Sequence, residues 1–164
     1  MEITTELVKQ LRDKTGVSVM QCKKALEETS GDIDKAVALL LQKSADIASK
    51  KSDRVLGAGV VSTYVHATGS VGTMLELLCE TDFVAKNEEF KVLARDIAMH
   101  ATATNPQFLN ADDAGADAMP ESVLLTQSFI KNPEVTIINL LQSATQKFGE
   151  KIEISRFVRY SVSK

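Results

Sequence analysis

The 164-residue sequence predicts an α+β protein: an N-terminal three-helix bundle, then a core in which a small antiparallel sheet packs against helices. Two observations lead there. Apolar residues recur at the helical period up to about residue 43 and, from Gly59 onward, at the period of two that marks strands. Glycine-bearing turns at Thr15-Gly16 and Ser30-Gly31 also cut the helical part into three short runs.

In the first run Leu7, Val8 and Leu11 repeat behind Thr4 or Thr5, either of which can cap a helix that Thr15-Gly16 ends. The second starts near Ser18 and carries Met20, Cys22, Ala25 and Leu26. Asp32 caps the third, in which Ile33, Ala36, Val37, Leu40 and Leu41 form the apolar stripe. Three such helices with tight turns make a compact bundle of the ubiquitin-associated type over residues 1–43, with a core too small for much stability of its own. Residues 44–54 are rich in Lys, Ser and Asp and read as a partly helical linker.

Residues 55–164 form the core domain, a single unit. In Gly59–Ala67, Val61, Thr63 and Val65 alternate with Val60, Ser62 and Tyr64, a β-branched pattern that predicts a strand. Ala67-Thr68-Gly69-Ser70 turns the chain into a second strand, Val71–Glu80, and a hairpin results. Val71, Thr73, Leu75, Leu77 and Cys79 make its core face; Met74, Glu76, Leu78 and Glu80 face the other way. One long helix is expected from about Asp82 to Thr104, with Phe90, Leu93, Ala94, Ile97 and Ala101 inward. Residues 110–121 are acidic, poor in large apolar groups, and expected to be a mobile surface loop. Leu124–Ile130 predicts a short strand, Asn132 and Pro133 the start of a helix that Gly149 stops, and Ile152–Val162 a closing strand.

Composition excludes several function classes. A net charge of −3 and a pI near 5.5 give no basic footprint for nucleic acid or anionic membrane. Charge is also uneven: residues 1–54 hold ten Lys/Arg against nine Asp/Glu, and the rest nine against thirteen. No wholly apolar run approaches the roughly 20 residues that span a bilayer. Residues 1–30 lack the order of a signal peptide, so a cytoplasmic location is expected, where Cys22 and Cys79 stay reduced. The motif search finds no phosphate loop, dinucleotide fingerprint or nucleophile elbow. His66 and His100 are too few for a zinc site without finger-spaced cysteines. His100 reads as an ordinary helix residue and Cys79 as a small buried hydrophobe. The chain is therefore expected not to be an enzyme and to carry no cofactor or metal of its own.

Two segments hold more pattern than folding requires. In "LRDKTGVSVMQCKKAL", residues 11–26, Arg12, Met20 and Lys23 crowd around a glycine turn. In "CETDFVAKNEEF", residues 79–90, a strand ends where Thr81 or Asp82 can cap a helix, and Phe83 and Val84 stand side by side. Pattern alone favours plain readings: solvated charges at a helix corner, and Phe83 as part of the core stripe seven positions before Phe90.

Both segments resemble signatures of the elongation factor Ts family. Leu11, Arg12, Thr15, Gly16, Lys23, Lys24, Ala25 and Leu26 match the first, and "ETDFVAKN" at Glu80–Asn87 the second. "GDI" at 31–33, "IAMH" at 97–100 and "FGEKIEISRF" at 148–157 extend the likeness over most of the chain in the expected order. The resemblance implies a guanine-nucleotide exchange protein that binds elongation factor Tu and makes it release GDP. It implies that the bundle docks on the partner's nucleotide-binding domain through Arg12, Met20 and Lys23. Thr81, Asp82, Phe83 and Val84 would do the exchange work, with Phe83 as a wedge and Asp82 beside it. GDP and magnesium would belong to the partner. Two features depart from the family pattern: Leu78 stands where Asn is usual, and the core is a single unit where many members carry a duplicated one. The open edge of the small sheet offers a surface for a homodimer.

Overall fold

The computed structural model describes residues 2–163. Helices α1 (Thr5–Thr15), α2 (Val19–Glu28) and α3 (Ile33–Lys50) form the N-terminal bundle. Thr4, Ser18 and Asp32 cap them, each side chain accepting the N–H three residues on. Gly16, at φ 69°, returns its N–H to the Arg12 carbonyl and ends α1 in the left-handed conformation that glycine adopts without strain. The bundle core is Val8, Leu11, Val17, Cys22, Ala25, Leu26, Ala36 and Leu40.

The segment 44–54, expected as a partly helical linker, is helical over most of its length, because α3 runs on to Lys50. Ser44 continues the Ala36–Leu40 stripe at a step of four, is wholly buried, and donates its hydroxyl to Gln146 Oε1 at 2.6 Å. A serine at that step keeps the helix amphipathic while looking like linker chemistry.

The core sheet joins β1 (Ala58–Val65), β2 (Val71–Cys79) and β5 (Glu153–Ser161) in the antiparallel order β1-β2-β5. Thr73, Leu75, Leu77 and Cys79 of β2 point inward, as their alternation predicts. Behind the hairpin the expected long helix is two: α4 (Asp82–Ala85) and α5 (Glu88–Thr104). Asn87 causes the break. Its side chain accepts the Glu89 N–H and caps α5, where Glu88 and Glu89 meet the free N–H groups of the first turn.

After α5 come α6 (Ala111–Ala114), a 3-10 turn at Pro120–Ser122 and another at Leu124–Thr126. The exposed segment expected as a loop thus carries short helical turns, and Gln127 Nε2 ties it down by donating to the Glu121 carbonyl at 2.7 Å. The strand expected at 124–130 shrinks to β3 (Ser128–Phe129), paired with β4 (Asn132–Thr136). Asn132 and Pro133 therefore lie in a strand and do not open a helix. Helix α7 (Ile137–Phe148) starts later because Thr136 and Asn139 cap each other reciprocally, while the Asn132 amide donates to the Lys14 carbonyl at 2.7 Å.

Helix α7 packs along α3, and Lys14 Nζ lies 2.8 Å from Glu134. The bundle is thereby fixed to the core, whose centre is Leu75, Leu77, Phe90, Ile97, Leu124 and Ile137.

Candidate functional site

Strand β2 ends at the buried Cys79, whose thiol lies 3.3 Å from the Thr81 carbonyl. Burial pushes that thiol above its usual pKa, and the Glu150 carboxylate adds to the shift, so Cys79 behaves as packing. The chain then turns through Glu80 and Thr81 into the single turn of α4. Val84 and Ala85 lie buried against the sheet. Successive helical residues point about 100° apart, so anchoring Val84 and Ala85 inward sends Phe83 outward. Phe83 is 86% exposed and Val84 3%.

The plain reading of Phe83 as core is thereby corrected. The break at Asn87 takes it off the inner stripe of α5, which begins at the wholly buried Phe90, edge-on to Phe148 with ring centres 6.0 Å apart. Asp82 is exposed in the first turn of α4. Thr81 occupies the cap position without capping: its hydroxyl donates to Glu150 Oε2 at 2.6 Å. Glu150 Oε1 accepts the N–H groups of Glu80 and Thr81 at 3.1 and 3.0 Å. Sequence reasoning singled out no role for Glu150, although it lies inside the C-terminal stretch that carries the family likeness. Arg54 approaches the same turn, 3.4 Å from Glu80.

Leu78 is half-buried beside β1. Gly59 makes room for it: a Cβ there would lie 2.9 Å from Leu78 Cδ2 and 2.5 Å from the Leu77 carbonyl.

The second cluster sits at the corner between α1 and α2. Arg12, Met20 and Lys23 are all exposed, Met20 by 81%, with Val19 exposed beside it. Among the described residues Lys23 makes only a long ion pair, with Glu27 at 4.0 Å. Arg12, Ser18, Glu89 and Lys147 line a groove of about 390 Å³ between bundle and core. A hydrogen bond from Lys147, 2.6 Å away, holds the Glu89 carboxyl below its usual range, and the charges of Lys147 and Arg12 add to this. The two sequence segments thus meet in space, since Arg12 faces the start of the helix that follows the Phe83 turn.

Among the described residues no group of three or more His, Cys, Asp or Glu could hold a metal ion, and no helix is long and apolar enough to cross a membrane. His100 is wholly buried and hydrogen-bonded, as an ordinary helix residue.

The family profile described as Elongation factor TS matches residues 1–122. Elongation factor Ts of Thermodesulfovibrio yellowstonii is 41% identical, over 99% of this chain and 97% of its own length. That of Desulfotalea psychrophila is 40% identical, over 99% of both. That of Carboxydothermus hydrogenoformans is 39% identical, over 98% of this chain and 89% of its own length.

Proposed function

The chain belongs to the elongation factor Ts family of translation elongation factors, and from that premise we propose that it is a guanine-nucleotide exchange factor for elongation factor Tu. It binds the GDP-loaded partner and promotes GDP release by disturbing the magnesium and phosphate site. The observation that carries this reading is Phe83, a large aromatic left in water at the end of a sheet while its neighbours Val84 and Ala85 anchor the turn. Folding gains nothing from exposing Phe83. A wedge has to be exposed.

The physics is linkage. A binder that favours the nucleotide-free conformation of its partner must weaken GDP by the factor by which GDP weakens the binder. No bond is made or broken, so the protein acts without being an enzyme, and GDP and magnesium remain the partner's. Phe83 inserts, Asp82 acts beside it, Thr81 and Val84 hold the turn, and Arg12, Met20 and Lys23 supply the docking contacts of the bundle. Neither nucleic acid nor membrane takes part, and the setting is the cytoplasm. We further propose that two copies form a homodimer, over the outer face of the sheet and not the open edge expected from the sequence, because Val61, Val65, Met74 and Tyr160 are exposed on that face.

The test is release of a fluorescent GDP analogue from elongation factor Tu. The protein is expected to accelerate release at micromolar concentration, and Phe83→Ala to reduce that acceleration at least ~10-fold, as for a central aromatic anchor. Arg12→Ala and Met20→Ala should mainly raise the concentration needed for half-maximal effect. A wild-type protein that leaves the release rate unchanged would overturn the reading.

A further inference from the structure

Strand β2 ends level with the start of β1 and one residue past its last pairing on β5. Its last pairings are Leu78 with Glu153 on β5 and Cys79 with Ala58 on β1, so the N–H groups of Glu80 and Thr81 lie past the end of the ladder. Both go to one oxygen, Glu150 Oε1, and the other oxygen takes the Thr81 hydroxyl. A carboxylate accepting two N–H groups and one O–H is a strong, directional clamp. Glu150 is itself held from both sides. Gly149, at φ 71°, ends α7 immediately before it, and after it Lys151 Nζ donates to the Ser52 carbonyl at 2.8 Å and Ile152 is buried.

We propose that Glu150 is a positioning residue for exchange: its side chain takes the place of the strand partner that Glu80 and Thr81 lack past the end of β2 and holds this turn, so that Asp82 and Phe83 are presented in one orientation. The functional half of this inference rests on the exchange reading above; the structural half does not. Helix α4 is a single turn with two buried residues, too short to fix its own direction. A wedge that had to be ordered at each encounter would lose effectiveness at the insertion step, while the docking surface around Arg12 and Met20 would be untouched.

Glu150→Ala and Glu150→Gln separate geometry from charge. A glutamine keeps an oxygen for the two N–H groups and offers an amide donor to Thr81 Oγ1, so it restores the clamp without its charge. Two readouts are needed. In the free protein, amide hydrogen exchange at Glu80 and Thr81 should rise at least ~10-fold in Glu150→Ala and return to within ~3-fold of wild type in Glu150→Gln. In GDP release from elongation factor Tu, Glu150→Ala should lower the rate at saturating factor ~10-fold and change the half-saturating concentration less than ~3-fold, with Glu150→Gln restoring the rate. If Glu150→Ala does not fold, Thr81→Val removes one of the three bonds and should give a smaller change of the same kind. Unchanged amide exchange and unchanged saturating rate in the folded Ala variant, or a Gln variant as impaired as Ala, overturns the inference. If wild type itself fails to release GDP, the exchange reading falls while amide exchange still decides the clamp.

Discussion

Phe83 and Val84 are adjacent in sequence and opposite in fate, and the contrast gives each a separate signature. Val84→Ala removes two buried methyl groups and should cost about 1–2 kcal/mol in urea unfolding. Phe83→Ala should stay within about 0.5 kcal/mol of wild type, because its ring covers nothing that folding needs. A large loss from Phe83→Ala would return it to the core. This difference was not legible in the spacing of Phe83 and Phe90, which suggests a single stripe; the short-range chemistry of Asn87 decides it. His100 was legible only as unremarkable. Its Nδ1 accepts the Ile130 N–H at 3.2 Å, which places the ring proton on Nε2, donated to Gln127 Oε1 at 2.8 Å. Burial pushes its pKa down, with the Gln127 bond partly opposing. The folded state then binds fewer protons than the unfolded one, so this contribution is complete above the unfolded value near 6.5 and is lost as pH falls below it. Urea unfolding between about pH 7.5 and about pH 5.5 should show stability falling on acidification by less than about 1.4 kcal/mol per pH unit, and His100→Gln should flatten that slope.

Elements were legible where apolar period and caps agreed, and obscure where one side chain redirected the backbone. The hairpin is an example of agreement. Its alternation Thr73, Leu75, Leu77, Cys79 is the core face observed. The start of α7 is the opposite case: Asn132-Pro133 carries the look of a helix start, but Thr136 and Asn139 satisfy each other's backbone and win the N-terminus four residues later. Pro133, lacking an N–H, is equally at home in the short two-stranded ribbon. Thr136→Ala should therefore cost about 1 kcal/mol by chemical unfolding. An unaffected stability would mean that packing against α3, not the capping box, sets where α7 begins. The continuation of α3 through Ser44 was hidden for a related reason, since its partner Gln146 lies 102 positions away.

At the scale of the whole molecule, the outer face of the sheet is the largest feature folding leaves unexplained. Cross-strand register puts Thr63, Met74 and Val158 in one row and Val65, Gly72 and Tyr160 in the next, with Val61, Glu76 and Arg156 bounding them. Gly72 leaves a depression there of about 430 Å³ floored by the sheet and rimmed by Val65, Tyr160 and Val162. Monomers seldom leave such contiguous apolar surface in water. A two-fold homodimer would lay each copy's Met74-Val158 row against its counterpart and cover both faces at once. Sedimentation equilibrium at tens of micromolar should then report two chains. Val158→Glu, exposed and hence tolerable to the fold, should place like charges across the axis and give monomers with little change in melting temperature. The Phe83 turn lies past the end of β2 remote from this depression, so exchange per chain should survive dissociation. A wild-type protein that stays monomeric across that range would leave the face to a different partner, whereas monomers that lose exchange would show that the wedge depends on pairing.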